Sequence, residues 1–204
     1  MIQDLIDFIH GLGDDDDVWM RCERVEYGDD VLRLSLTMRL GYREQDTQSW
    51  IIECSEVRTS QAPFEGDGVV LLDDHPLLWP HNKEVASLSF RGVPRDLDAV
   101  LGALWRAHVG LIGEWIPFTR FMNYSSLPEL LAGGFGQLAS GPRPLIEAYA
   151  GVLQAHGIQV HASNPRMPTY YKNDQIIVEV GNARLLMVGN GHVIAERFDA
   201  KHEV

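Results

Sequence analysis

A chain of 204 residues, 45% hydrophobic and 23% charged, has ordinary globular content, and at this length no metal or disulfide is needed to hold a core. Its 17 Lys and Arg against 29 Asp and Glu leave a net charge of −12, which argues against general affinity for nucleic acid or anionic membrane. No run approaches the roughly 20 apolar residues of a membrane helix, and the apolar start carries Asp4 and Asp7 without a basic leader, so a cytoplasmic location is expected.

Ile2, Leu5, Ile6 and Ile9 recur at helical spacing and predict a short helix over 2–12, stopped by Gly11 or Gly13. Asp14 to Asp17 follow as a solvated acidic loop, without the alternating ligands, glycine and terminal glutamate of a calcium loop. Three strands come next, over 18–27, 31–40 and 49–58. In the second, Leu32, Leu34, Leu36, Met38 and Leu40 alternate with Arg33, Ser35, Thr37 and Arg39, which buries one face and wets the other. Short connections, including Gly28-Asp29-Asp30, make the three an antiparallel meander. Cys22 and Cys54 both take core-facing positions in it and read as buried free thiols, though the sequence does not decide whether they bridge.

Residues 59–68 read as loop, and a further strand is expected at 85–91, where Ala86, Leu88 and Phe90 share a face. Leu97, Val100, Leu101, Leu104, Trp105 and His108 form one stripe of a helix over 96–109. Ser126 to Glu129 fits a capping box for a helix over 126–132, and Leu145, Ile146, Tyr149, Val152 and Leu153 line another over 143–156. His108 and His156 close their helices and read as C-terminal caps. The last third returns to strands at 176–180, 183–188 and 192–198, with Gly181-Asn182 and Asn190-Gly191 as hairpin turns.

The order helix, strands, helices, strands lacks βαβ alternation and predicts an α+β fold. The expectation is one domain over 1–204. Its antiparallel sheet comes from two meanders, about 18–58 plus 85–91 and 175–198, with the helices 96–109, 126–132 and 143–156 on one face. Any subdomain junction is expected within the glycine- and proline-bearing segment 133–144.

Chemistry concentrates in residues 69–83, where an apolar run opens into Asp73, Asp74, His75, Trp79 and His81, stiffened by Pro76 and Pro80. Imidazole titrates at about 6.5 and is poised by neighbouring carboxylates, so His75 as base, Asp74 as orienter and His81 would suit acid–base work. Asp73, His75 and His81 would be the metal ligands of that alternative, although their spacing matches no zinc signature. The plainer reading is a proline-stiffened loop anchored by Leu77, Leu78 and Trp79. Trp115, Phe118, Phe121 and Tyr124 read as core; as a pocket wall they would leave Arg120 to meet an anionic ligand. Gly134-Phe-Gly136-Gln-Leu-Ala139 fits a nucleotide fingerprint in letters only, because a helix rather than a strand precedes it.

Two functions remain in view. The first is a non-catalytic cytosolic binding protein, such as an acidic inhibitor or immunity-type protein facing a cationic protein partner, with Asp14 to Asp17, Asp29, Asp30, Asp73 and Asp74 in contact. Asp73, Asp74, His75, Trp79, His81 and Arg120 are its candidate binding residues, and no cofactor is expected. The alternative is a small metal-dependent or acid–base hydrolase using Asp73, Asp74, His75 and His81.

Overall fold

The computed structural model describes residues 1–12, 18–28, 31–40, 47–123, 126–172 and 174–203. Asp14 to Asp17, Asp29, Asp30 and Tyr124 lie outside them. In chain order the first elements are α1 (Ile2–Gly11), β1 (Val18–Tyr27), β2 (Val31–Leu40), β3 (Thr47–Gln61), β4 (Glu65–Gly66), β5 (Val69–Leu72) and the single turn α2 (Trp79–Asn82). Then come β6 (Val85–Arg91), α3 (Leu97–Ile112), α4 (Leu127–Gly133), β7 (Phe135–Pro142), α5 (Arg143–Ala155) and β8 (Gln159–Ala162). The hairpin strands β9 (Thr169–Lys172) and β10 (Gln175–Val178) precede β11 (Arg184–Val188) and β12 (Gly191–Glu203). The fold is α+β, and it divides into two compact units, Met1–Leu78 with Asn182–Val204 and Trp79–Gly181.

The first unit is one antiparallel sheet in the order β4-β1-β2-β3-β12-β11-β5. The alternation read in β2 is realised: Leu32, Leu34, Leu36 and Met38 are buried while Arg33 and Arg39 are exposed. Ile2, Leu5 and Ile6 of α1 join that core together with Met20, Ile52, Leu186 and Val193. Each such side chain is worth about 1.5–3 kcal/mol on full burial. The sheet curls until the short β4, paired to β1, meets the β11–β12 turn, where Asn190 N–H donates to the Glu65 carbonyl at 2.9 Å. Gly189 occupies that turn at φ 53°, and a Cβ there would collide with the Glu65 carbonyl.

Where β3 and β12 slip register between Ile194 and Ala195, Arg58 is left as the extra residue of a bulge. Its guanidinium, only 5% exposed, meets Glu196 at 2.6 Å and the Glu56 carbonyl at 3.0 Å. The two cysteines both carry free thiols. Register places Cys22 in line with Leu36 and Trp50, two strands from Cys54 and roughly 13 Å further along the sheet, too far for a bridge. Burial pushes the Cys54 thiol up to about 12 and raises Cys22 as well.

In the second unit β6 is the central strand of three, antiparallel to β7 on one side and β8 on the other. Helix α5 lies on all three strands and α3 packs on α5. Asp96 caps α3 by accepting from Ala99 N–H at 2.9 Å, and Val100, Leu104, His108 and Ile112 face the core. Trp105, expected on that stripe, is exposed.

Several topological expectations change. Strands β1, β2, β3, β12 and β11 do share one sheet, but residues 85–91 belong to the other sheet, and the helices 97–112 and 143–155 pack with that one. Ile176 to Val178 pair with Thr169–Tyr171 rather than with 183–188, so Gly181-Asn182 is no hairpin turn and marks the change of unit. The final hairpin turns through Gly189-Asn190, one residue earlier than read. Strand β3 continues to Gln61 into the segment read as loop. Segment 133–144, expected to hold any junction, is the end of α4, all of β7 and the start of α5, inside the second unit.

Candidate functional site

The cluster at 73–81 is divided by the change of unit. Asp73, Asp74 and His75 belong to the first and Trp79 and His81 to the second. Asp73 accepts from Arg184 Nε, an exposed ion pair across the β5–β11 edge, and Asp74 is exposed. His75 Nδ1 accepts from Leu77 N–H at 3.2 Å and so caps the 3-10 turn Pro76–Leu78, whose Leu77 and Leu78 pack on Leu185 and Ile194. Burial lowers His75, against the opposing pull of Asp74, and burial with the charge of His75 lowers His192 on β12. His81 Nδ1 stands 3.5 Å from the buried carboxylate of Glu179, a neighbour no sequence spacing announces. Among the described residues no three His, Cys, Asp or Glu side chains are placed to hold a metal ion.

Arg120 is exposed on the 3-10 turn Phe118–Phe121, while Phe121 is buried and Phe118 packs edge-on against His108 and Tyr149. Those two aromatics are core, as read; Trp115 is half exposed. His108 is no helix-end cap, because it lies buried between Tyr149 and the Ile116 carbonyl. Gly134 caps α4 in the left-handed region and a strand follows, so the glycine pair there meets no helix N-terminus.

The concave, polar surface lies elsewhere, on the face of the β7-β6-β8 sheet turned away from α5. Along β6, Ala86, Leu88 and Phe90 are buried towards the helices, which leaves Ser87, Ser89 and Arg91 on the opposite face. On β7 a bulge at Leu88/Ser89 buries both Leu138 and Ala139, and this brings Gln137 and Ser140 to that same open face despite their odd spacing. Cross-strand rows result: Phe135, Arg91 and Gln159; then Gln137, Ser89 and His161; then Ser140, Ser87 and Ser163 just beyond β8.

Three cavities open on this face, two of about 280 Å³ and one of about 610 Å³, and among the described residues no Asp or Glu lines them. Arg91 lines two and Arg166 the third. Among the described residues neither guanidinium has an ion-pair or hydrogen-bond partner, and the backbone positions of the two residues are roughly 20 Å apart along β6. Ser89 and His161 oppose one another across the strands, yet no hydrogen bond joins them and no described carboxylate orients the imidazole. The arrangement lacks the nucleophile–base–orienter chain of covalent catalysis. What it offers is a row of donors between two cations.

Comparison with known proteins finds no matching family model, no matching curated protein and no matching solved structure. The functional reading therefore rests on this geometry.

Proposed function

We propose that the chain is a non-catalytic binding protein whose ligand surface is the open face of the β7-β6-β8 sheet. The observation that carries the reading is a charge contrast. On a chain of net charge −12, this face gathers Arg91, Arg166 and His161 around hydroxyl and amide groups, with no acidic lining residue among the described ones. Desolvating a guanidinium beside hydrogen-bond donors favours an anionic group in the ligand. A cationic protein partner, expected from net charge, would have to address the acidic stretches instead, and of the aspartates named for that contact Asp73 is already paired to Arg184. A cytosolic setting, in which the free thiols of Cys22 and Cys54 persist, belongs to the same proposal.

Two measurements on the full chain test it. Native mass spectrometry of protein recovered from its own cells should find a bound small molecule that is lost from Ser89→Trp, or from His161→Glu where bulk at 89 disturbs folding. Ester and phosphoester substrates should react no faster than in buffer. Turnover that disappears in Ser89→Ala or His161→Ala would instead make the face an active site and end the non-catalytic reading.

A further inference from the structure

We infer that the cavity of about 280 Å³ beside Val85 is a site for a tetrahedral oxyanion, a phosphate or sulfate group of a small ligand, an assignment that rests on the open face being the binding surface. Its walls include Ser87, Ser140, Ser163, Asn164 and Arg166. Several donor protons here meet no acceptor among the described residues. Ser87 N–H donates to Ser163 Oγ at 2.9 Å, which occupies a lone pair and leaves the Ser163 hydroxyl proton without an acceptor. Ser87 Oγ and Ser140 Oγ lie 3.1 Å apart, so one donates to the other and the second proton is left over. The Asn164 amide and the Arg166 guanidinium add further unmatched donors among the described residues.

The backbone fixes where these residues stand on the sheet. Val85 N–H donates to the Arg166 carbonyl at 2.7 Å and Arg166 N–H returns to Val85 at 3.1 Å, locking residue 166 to the start of β6. Ser163 N–H likewise donates to the Ser87 carbonyl at 2.9 Å. Donors come from β6, from β7 and from the segment after β8, side by side on one face of the sheet. A carboxylate offers this set two oxygens, fewer than the residues that carry the donors. A phosphate or sulfate group offers three or four, and the guanidinium supplies the countercharge.

Inorganic phosphate, sulfate and acetate are titrated separately into the full chain at constant ionic strength and followed by amide NMR. Saturable shifts at Ser87, Ser140, Ser163 and Arg166 are expected with phosphate or sulfate, the tighter ion naming the source. Acetate should bind roughly tenfold more weakly, and Arg166→Gln should weaken the preferred ion by about tenfold. Arg197→Gln, on the other unit, should change neither. Shifts that never saturate, that are equal for acetate, or that persist in Arg166→Gln overturn the assignment. If no ion binds here yet native mass spectrometry finds a ligand displaced by Ser89→Trp, this cavity alone fails; if neither is seen, the open-face reading falls with it.

Discussion

The hydroxyl of Tyr149 lies 2.8 Å from His108 Nδ1, and His108 Nε2 lies 2.7 Å from the Ile116 carbonyl, all of it buried. A carbonyl only accepts, so Nε2 carries a proton, and in the Nε2–H tautomer Nδ1 accepts from Tyr149. Burial raises the Tyr149 phenol, in keeping with its role as donor.

Tyr149→Phe deletes that donor and leaves Nδ1 desolvated without a partner. The expected loss is about 1–3 kcal/mol in urea unfolding, with no gain or loss of ligand on the open face. A loss within error of zero would mean that the hydrogen bond is not formed. The Nε2–H tautomer is checked independently by the imidazole ¹⁵N shifts.

Arg58 and Glu196 form a charge pair whose cation is buried at 5% exposure. Removing the carboxylate takes a partner from the buried cation, so Glu196→Leu should cost about 1–3 kcal/mol. The double variant Arg58→Leu with Glu196→Leu should be more stable than Glu196→Leu alone, since the buried cation then leaves together with its partner. Equilibrium unfolding of the four proteins closes the cycle, and additive losses would show that the two residues act separately.

His75 and His192 are both lowered in the folded chain, by burial first and, for His192, by the charge of His75. The unfolded chain therefore takes up protons first, at about pH 6.5. Stability from these groups is present above that pH and is lost as pH falls towards the lowered native values. His192→Gln should thus narrow the difference in unfolding free energy between about pH 7 and about pH 5.5 relative to the native chain. An unchanged difference would show that His192 does not titrate differently on folding.

Local pattern carried part of this structure and long-range pairing the rest. The alternation of Leu32 to Met38 and the stripe Val100, Leu104, His108 were legible because each depends only on neighbours in sequence. Strand β7 was hidden: Gly134 and Gly136 at positive φ and Pro142 look like connector, and its partner β6 lies beyond two intervening helices. Ile176 to Val180 suggest a hairpin with 183–188 because Gly181-Asn182 has the composition of a turn without its geometry. The open face was half visible, since Ser87, Ser89 and Arg91 alternate with buried Ala86, Leu88 and Phe90. Ser140, Ser163 and Arg166 reach it only through register, so no window of sequence contains the site.

Strand β5 pairs with β11, yet the whole of the second unit is threaded between them. During synthesis the ribosome therefore releases residues 79–181 before either β11 or β12 exists. Until then β3 and β5 each lack the neighbour they bond in the finished sheet. The inserted unit can close first, while the one that begins the chain must wait for its last strands, with Leu71 and Ile52 awaiting cover. A chain cut short before Gly191 would keep a complete β7-β6-β8 sheet and lose β12 from the middle of the other.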